Sequence, residues 1–258
     1  NEVQTDQSTP VQEVREQKAA ILTARDSSTV ATAHNEGVAF GRWSLSLEPA
    51  PSVGMVRHGL LGQGIIWITD AGALTEALVQ ELKGRGIQVV TGKQIPSQCH
   101  GIIELSGMNT TSSVEEAIQL NRDAFSHARQ LANQNQNPGV FITIQNTGGS
   151  FGLDNLEEQQ AWLGGIPGLA KTFAQEFPGA SVKAIDISVN GTMEAQARLI
   201  AEELFSGGPE LEVSINERGR FTLKSAMTEV VTGEHVLEAD DVVVASGGAR
   251  GVTASSLI

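Results

Sequence analysis

The sequence contains no tyrosine. No phenol in it is available to donate or accept a proton. Its one cysteine, Cys99, excludes an internal disulfide framework. That usage fits a reducing compartment, so a cytoplasmic location is expected. Positive charge is scarce: 17 Lys and Arg stand against 30 Asp and Glu, a net charge of −13. This balance argues against nucleic acid or an anionic membrane as partner. No apolar run approaches the roughly 20 residues of a membrane span. The N-terminus is polar and Gln-rich, has no initiator Met, and shows no signal-peptide pattern. Histidine is sparse and scattered, at His34, His58, His100, His127 and His235. Adjacent Cys99 and His100 suit chelation poorly, so no metal site is expected.

What is present is enough for a core. At 258 residues and 40 % hydrophobic, the chain has room for one large or two small domains. Its 28 glycines suit a tightly packed α/β fold. Residues 1–37 are polar and are read as a flexible linker with one helical stretch over 11–25. RWSLSLE (42–48) alternates like a half-buried strand, and PAPSV (49–53) ends it.

From residue 64 apolar runs alternate with helical periods. IIWIT (65–69), IQVV (87–90), GIIELS (101–106), VFITI (140–144) and VKAIDI (182–187) read as strands. Residues 74–83, 114–132 and 193–205 read as helices. Residues 155–163 and 168–177 form one long helix or two abutting pieces, with Trp162 and Phe173 on the apolar side. Asp154 or Asn155 is the expected N-cap. Such alternation implies βαβ units, and five strands make a doubly wound parallel sheet with helices on both faces. Two alternating runs in 211–224 flank NERG (216–219), a β-hairpin signal. Strand 42–48 alternates, whereas the parallel strands are apolar throughout. It is therefore expected to pair with the hairpin.

VVVAS (242–246) then leads into SGGARGVTA (246–254). A strand, a glycine-rich loop and a helix start are the context of a dinucleotide fingerprint. Ser246, Gly247, Gly248, Gly251 and Val252 would bring backbone N–H groups to a pyrophosphate at a helix N-terminus. Arg250 is placed to meet a 2′-phosphate, favouring NADP over NAD. Thr253 stands where the last glycine of the fingerprint is expected. The expected division is a linker at 1–37, a complete α/β unit at 38–238, and the truncated opening of a cofactor-binding unit at 239–258. The chain is expected to be cut from a longer protein.

The order of RWSLSLEPAP (42–51), GIIELSG (101–107), GLAKTFAQEFP (168–178), VKAIDIS (182–188), FTLK (221–224) and the 246–254 loop resembles the ketoreductase of type I polyketide synthases and polyunsaturated fatty acid synthases. The resemblance covers about 215 residues by inspection. It implies two short-chain-dehydrogenase-like halves: a degenerate structural (pseudo-Rossmann) one, then one that binds NADPH. It also implies reduction of a β-ketoacyl group to a β-hydroxyacyl group. The partners implied are a catalytic subdomain downstream, an acyl carrier protein with its phosphopantetheine-bound substrate, and a second subunit in a homodimer. The family's catalytic Tyr and Lys fall on Gln159 and Leu163, and its serine near Asn146 or Thr147. The first glycine loop, TDAGALTE (69–76), lacks the three spaced glycines, and Asp70 would repel a phosphate. VVTG (89–92) offers neither an acid for a ribose nor an Arg. Asn121, where the family often has an active-site Asn, is read as structural, and Cys99 as an inert thiol. No catalytic residue is therefore expected in this chain. The alternative reading is a non-catalytic Rossmann-like binding or interaction module.

Overall fold

The structure is a computed structural model, and it describes residues 42–56, 59–60, 64–134, 138–154, 156–229 and 242. The expected linker helix at 11–25 and the 246–254 loop lie outside the described residues. The chain forms two compact units, one of residues 44–226 and one of 1–43 with 227–258. In the second, Thr228 Oγ1 donates to the Arg42 carbonyl at 3.3 Å, and Val242 is exposed.

The unit 44–226 is built on one sheet. Its strands are β1 (Arg42–Pro49), β2 (Ile65–Ile68), β3 (Val89–Thr91), β4 (Cys99–Gly107), β5 (Val140–Gln145), β6 (Ser181–Ser188), β7 (Glu212–Asn216) and β8 (Gly219–Thr228). The order across the sheet is β1-β8-β7-β6-β5-β4-β2-β3. Strands β2 to β7 pair in parallel. Strands β7 and β8 pair antiparallel, through the two-residue turn Glu217–Arg218. Asn216 Oδ1 accepts the Arg218 N–H across that turn at 2.9 Å. As expected, β1 lies beside the hairpin and not among the parallel strands.

The helices are α1 (Ala73–Gly84), α2 (Val114–Gln134), α3 (Glu158–Ala161), α4 (Gly165–Glu176) and α5 (Met193–Ser206). Side chains alternate across each strand, so each face of the sheet carries its own core. On one face Leu74, Leu78 and Leu82 of α1 and Ile200 and Leu204 of α5 pack on Ile66, Ile103 and Ile185. On the other, Leu131 of α2 and Phe173 of α4 cover Ile102, Phe141 and Val182. The Phe173 ring stacks on Phe141, with centroids 4.5 Å apart.

One local feature decides between the expected alternatives and two differ from expectation. Of the two alternatives for 155–177 the chain takes two helices, since Pro167 has no N–H and its ring blocks a helix from continuing upstream. The N-cap of α3 is Glu157, in a capping box with Gln160, and not Asp154 or Asn155. Asp154 instead pairs with Arg218 at 2.6 Å. Finally, β3 connects to β4 through residues 92–98 without a helix. Counted from β2, the strand order therefore begins 2-1-3-4-5, one of the two common doubly wound orders.

One charged cluster ties the layers together. Lys183 on β6 is fully buried and donates to Glu203 of α5. Its ammonium also donates to the Gly208 carbonyl at 3.1 Å. Arg220 on β8 reaches the same carboxylate, Nε to Oε2 at 2.6 Å and Nη2 to Oε1 at 3.0 Å. It also donates to Glu210 at 3.0 Å, to the Gly207 carbonyl at 2.8 Å and to the Ala50 carbonyl. Removing one partner of such a buried cluster leaves uncompensated charge, which costs about 3–5 kcal/mol. Glu203→Gln is therefore expected to destabilise the fold by that order, because two cations lose their shared carboxylate. Lys183→Met should do less harm, since Glu203 keeps Arg220. Urea unfolding of both variants checks the ranking, and the reverse order would contradict it.

Candidate functional site

In doubly wound sheets ligands bind beyond the carboxyl ends of the strands. Here that edge is formed by the loops after β2, β4, β5, β6 and β7. The loops after β2 and β5 are tied up by the chain's own polar groups.

The loop after β2 carries the expected vestige of a phosphate turn. Gly72 takes φ +62 and opens α1. The Asp70 carboxylate accepts the Gly72 N–H at 2.9 Å, and Thr75 Oγ1 accepts the Ala71 N–H at 2.7 Å. These are donors that a pyrophosphate would need. Beside the loop, between α1 and the end of β3, lies an open cleft of about 710 Å³. Asp70 and Glu76 line it along with Lys83 and Lys93. Carboxylates at the helix start oppose an anion, so these residues do not fit a dinucleotide phosphate.

The loop after β5 is pinned from below. Asp186, fully buried on β6, accepts three backbone N–H bonds: Thr147 at 2.6 Å, Ser150 at 2.8 Å and Phe151 at 2.6 Å. Burial pushes its carboxyl pKa up, and those three donors pull against the rise without cancelling it. Sharp turns bring the donors together: Gly148, Gly149, Phe151 and Gly152 all take positive φ. At Gly149 a Cβ would lie 2.9 Å from the Ser188 Cβ, so the close approach also requires glycine. Ser214 and Asn216 both donate to the Gly149 carbonyl from the far side.

A second buried carboxylate sits in the middle of β4. Glu104 accepts from Thr69 Oγ1 at 3.0 Å and from the Ser106 N–H at 3.1 Å. Its other oxygen lies 2.8 Å from His127 Nδ1 on α2. Burial pushes the Glu104 pKa up, but the His127 contact and the Ser106 bonds outweigh it and leave it lowered. The His127 ring stands edge-on to Trp67, centroids 4.8 Å apart.

The residues that the resemblance sets at catalytic positions share one small cleft. Asn146, Gln159 and Leu163 line it, together with Gln160 and residues 107–111. Asn146 Oδ1 accepts from the Gly148 N–H at 3.1 Å and from Gln160 Nε2 at 3.4 Å. Leu163 is 2 % exposed and packs with Ala117, Ala124 and Ile166. Thr147 points its N–H at Asp186. The Asn121 Nδ2 donates to the Ala117 carbonyl at 2.8 Å and the Trp162 carbonyl at 3.0 Å, joining α2 to the α3–α4 turn.

The remaining expectations divide. Trp162 is half-buried against the Leu163 cluster, and Phe173 is core. The Cys99 thiol is buried, donates to the Gly101 carbonyl at 2.9 Å and has its pKa raised by burial, as an unreactive thiol does. Ser246, Gly247, Gly248, Arg250, Gly251 and Val252 lie outside the described residues. Among the described residues no cluster of His, Cys, Asp and Glu is arranged to hold a metal ion. None of their helices is long and apolar enough to cross a membrane. Asp186, Glu104 and His127 were not singled out by sequence reasoning. The signal for Asp186 and Glu104 was a charged residue inside an otherwise apolar strand, while His127 on α2 had none.

No protein-family model and no curated protein matches the sequence. Solved structures do match. One is a keto acid-selecting NRPS module with adenylation, ketoreductase and pseudo-Asub domains, at 14 % identity and a TM-score of 0.57 over 84 % of this chain. Another is the first ketoreductase of the tylosin PKS, at 12 % identity and 0.51 over 73 %. A third is an A1-type ketoreductase, at 14 % identity and 0.52 over 75 %. This chain spans 21 %, 41 % and 44 % of their respective lengths. It has the fold of the ketoreductases of modular synthases.

Two outcomes follow from the buried carboxylates. Asp186→Asn places an amide against three N–H donors, two of them on buried residues. It should cost about 2–5 kcal/mol, and it should raise the hydrogen-exchange rates of the Thr147, Ser150 and Phe151 amides. Unchanged exchange there would show that the loop does not depend on the carboxylate. Glu104 has a lowered pKa in the fold. Its contribution is therefore complete above the ordinary Glu value of about 4.3, and is lost as pH falls below it, because the unfolded chain then binds more protons. Asp186, with a raised pKa, works in the opposite sense: its contribution weakens as pH rises above the ordinary Asp value. Denaturation midpoints measured from pH 3 to 6 should fall less steeply on acidification in Glu104→Gln than in the parent chain, with Asp186 common to both.

Proposed function

We propose that this chain is the structural half of a ketoreductase in a modular polyketide or polyunsaturated fatty acid synthase. In this reading the complete protein reduces a β-ketoacyl group on an acyl carrier protein to a β-hydroxyacyl group with NADPH. The hydride transfer and the proton donor belong to a catalytic half that follows. Residues 239–258 open that half. Ser246, Gly247, Gly248, Gly251 and Val252 would cradle the pyrophosphate, with Arg250 toward the 2′-phosphate. The described unit serves as the buttress of its partner, within a dimeric, cytoplasmic synthase.

One observation carries the reading. Leu163, at the family's lysine position, is a packed core residue in a unit with the ketoreductase fold. A core leucine cannot lower the pKa of a neighbouring acid or hold a ribose. With no tyrosine in the chain, both members of the family's catalytic pair are missing. The phosphate turn at 69–76 is capped by its own Asp70 and Thr75.

Titration of this chain with NADPH, followed by cofactor fluorescence, should show no saturable binding at micromolar concentration. The chain should oxidise no NADPH in the presence of a β-ketoacyl thioester. The polypeptide continued beyond Ile258 should do both, and its added sequence should contain a Tyr and a Lys four residues apart. Tight binding or turnover by the 258 residues alone would overturn the proposal.

A further inference from the structure

Strand β1 ends the sheet, with β8 on one side and no described strand on the other. Its eight residues read RWSLSLEP. The Ala50 N–H donates to the Arg220 carbonyl of β8 at 3.1 Å, Glu48 pairs with Lys224 at 2.8 Å, and the Arg42 carbonyl accepts from Thr228 Oγ1 at 3.3 Å. The two strands therefore run in opposite directions. Successive residues of a strand turn their N–H and C=O to opposite sides. Arg42 and Ala50 face β8, so the even-numbered residues between them do as well. The backbone groups of Trp43, Leu45 and Leu47 face outward. Pro49 belongs to the same outward set, where the missing N–H of a proline costs an edge strand nothing.

An open edge is a template for another strand, and proteins blunt it with lysines, bulges or inward-pointing charges. The outward residues of β1 are a tryptophan and two leucines instead. Trp43 is 62 % exposed and Leu45 56 %. The edge is also complementary to itself. Turned end for end about Leu45, RWSLSLE sets Arg42 against Glu48, Trp43 against Leu47, Ser44 against Ser46 and Leu45 against Leu45. Opposite charges, an aromatic with an aliphatic, and paired hydroxyls are the neighbours that stabilise antiparallel strands. A slip of two residues in either direction removes both ion pairs.

We propose that the open edge of β1 is an interface with a second copy of this chain. The two β1 strands lie antiparallel about a two-fold axis at Leu45, joining two eight-stranded sheets into one. The Leu45 N–H of each copy donates to the Leu45 carbonyl of the other, and Trp43 and Leu47 exchange hydrogen bonds in the same way. Arg42 of the second copy adds a cation to Glu48 opposite Lys224. The same patch is used by both copies, so the contact closes at the dimer. The contact is small and each chain carries a net charge of −13, so the dimer is weak and reversible. The inference stands on β1 alone, whether or not the chain is half of a ketoreductase.

Sedimentation equilibrium of the 258-residue chain should show a reversible monomer–dimer equilibrium, with Kd on the order of 10–100 µM. Hydrogen exchange of the Trp43, Leu45 and Leu47 amides should slow as the protein is concentrated, while that of Ser44, Ser46 and Glu48 should not change. Leu45→Lys sets two like charges across the axis and should raise Kd about tenfold. Its side chain is exposed, so the unfolding midpoint of the dilute protein should stay the same. Arg42→Glu and Glu48→Arg should each weaken self-association, because each sets like charges together at both ends of the pair. An equimolar mixture of these two variants should associate as the parent chain does, since opposite charges then meet at both ends. The proposal is overturned if the chain stays monomeric up to about 1 mM, or if Leu45→Lys leaves a dimer intact. It is also overturned if mixing the two charge variants restores nothing. Protection of the three outward amides in the dilute chain would overturn it as well, because the chain's own residues would then cover the edge.

Discussion

The Glu203 carboxylate is the constraint on which the arrangement of the layers depends. It receives Lys183 from the sheet and Arg220 from the hairpin, and it is itself carried by α5. Arg220 then extends the grip to the Ala50 carbonyl, after β1, and to the turn after α5. Four segments distant in sequence thereby meet at one buried site. Hydrophobic burial is non-directional and would tolerate α5 rotated or shifted on the sheet. A fixed set of charged hydrogen bonds tolerates neither. The apolar contacts of Ile200 and Leu204 supply the attraction, and the charges set the register of helix against sheet.

The same division of labour explains the closed edge where a ligand site would lie. Asp186 holds the loop after β5 by its N–H groups, while Ser214 and Asn216 hold that loop by its Gly149 carbonyl. A loop fixed from both sides has no spare donors for a substrate. Asp70 and Thr75 have done the same to the loop after β2. Internal hydrogen bonds thus take up the free donors and acceptors of both loops. The Thr111 hydroxyl and the Gln145 side-chain amide are the exception, since they are buried without a hydrogen-bond partner.

How far the fold was legible follows from the same physics. Strands β2, β4, β5 and β6 and helices α1, α2 and α5 stand out because burial on both faces, or on one stripe, writes a period into the sequence. The place of β1 beside the hairpin was legible for the same reason, although its Leu45 is exposed where the alternation suggested burial. The start of α3 was not, since Asp154, Asn155 and Glu157 are all possible caps and only the fold decides which one faces a free N–H. At the site, Gln159, Leu163 and Asn146, which the resemblance sets at catalytic positions, line one cleft. Thr111 was hidden in a polar run, MNTTSS (108–113), where nothing local separates a buried hydroxyl from an exposed one.

Buried charges inside apolar strands are therefore the informative residues of this sequence. Glu104, Lys183 and Asp186 each interrupt a strand that would be more stable, by transfer free energy alone, with an aliphatic residue there. Their partners lie on other elements, and each partner fixes a geometry that apolar packing leaves free: the helix α2 through His127, the helix α5 through Glu203, the loop after β5 through its backbone. Their effect is to set the placement of helix, loop and sheet that apolar packing alone leaves open.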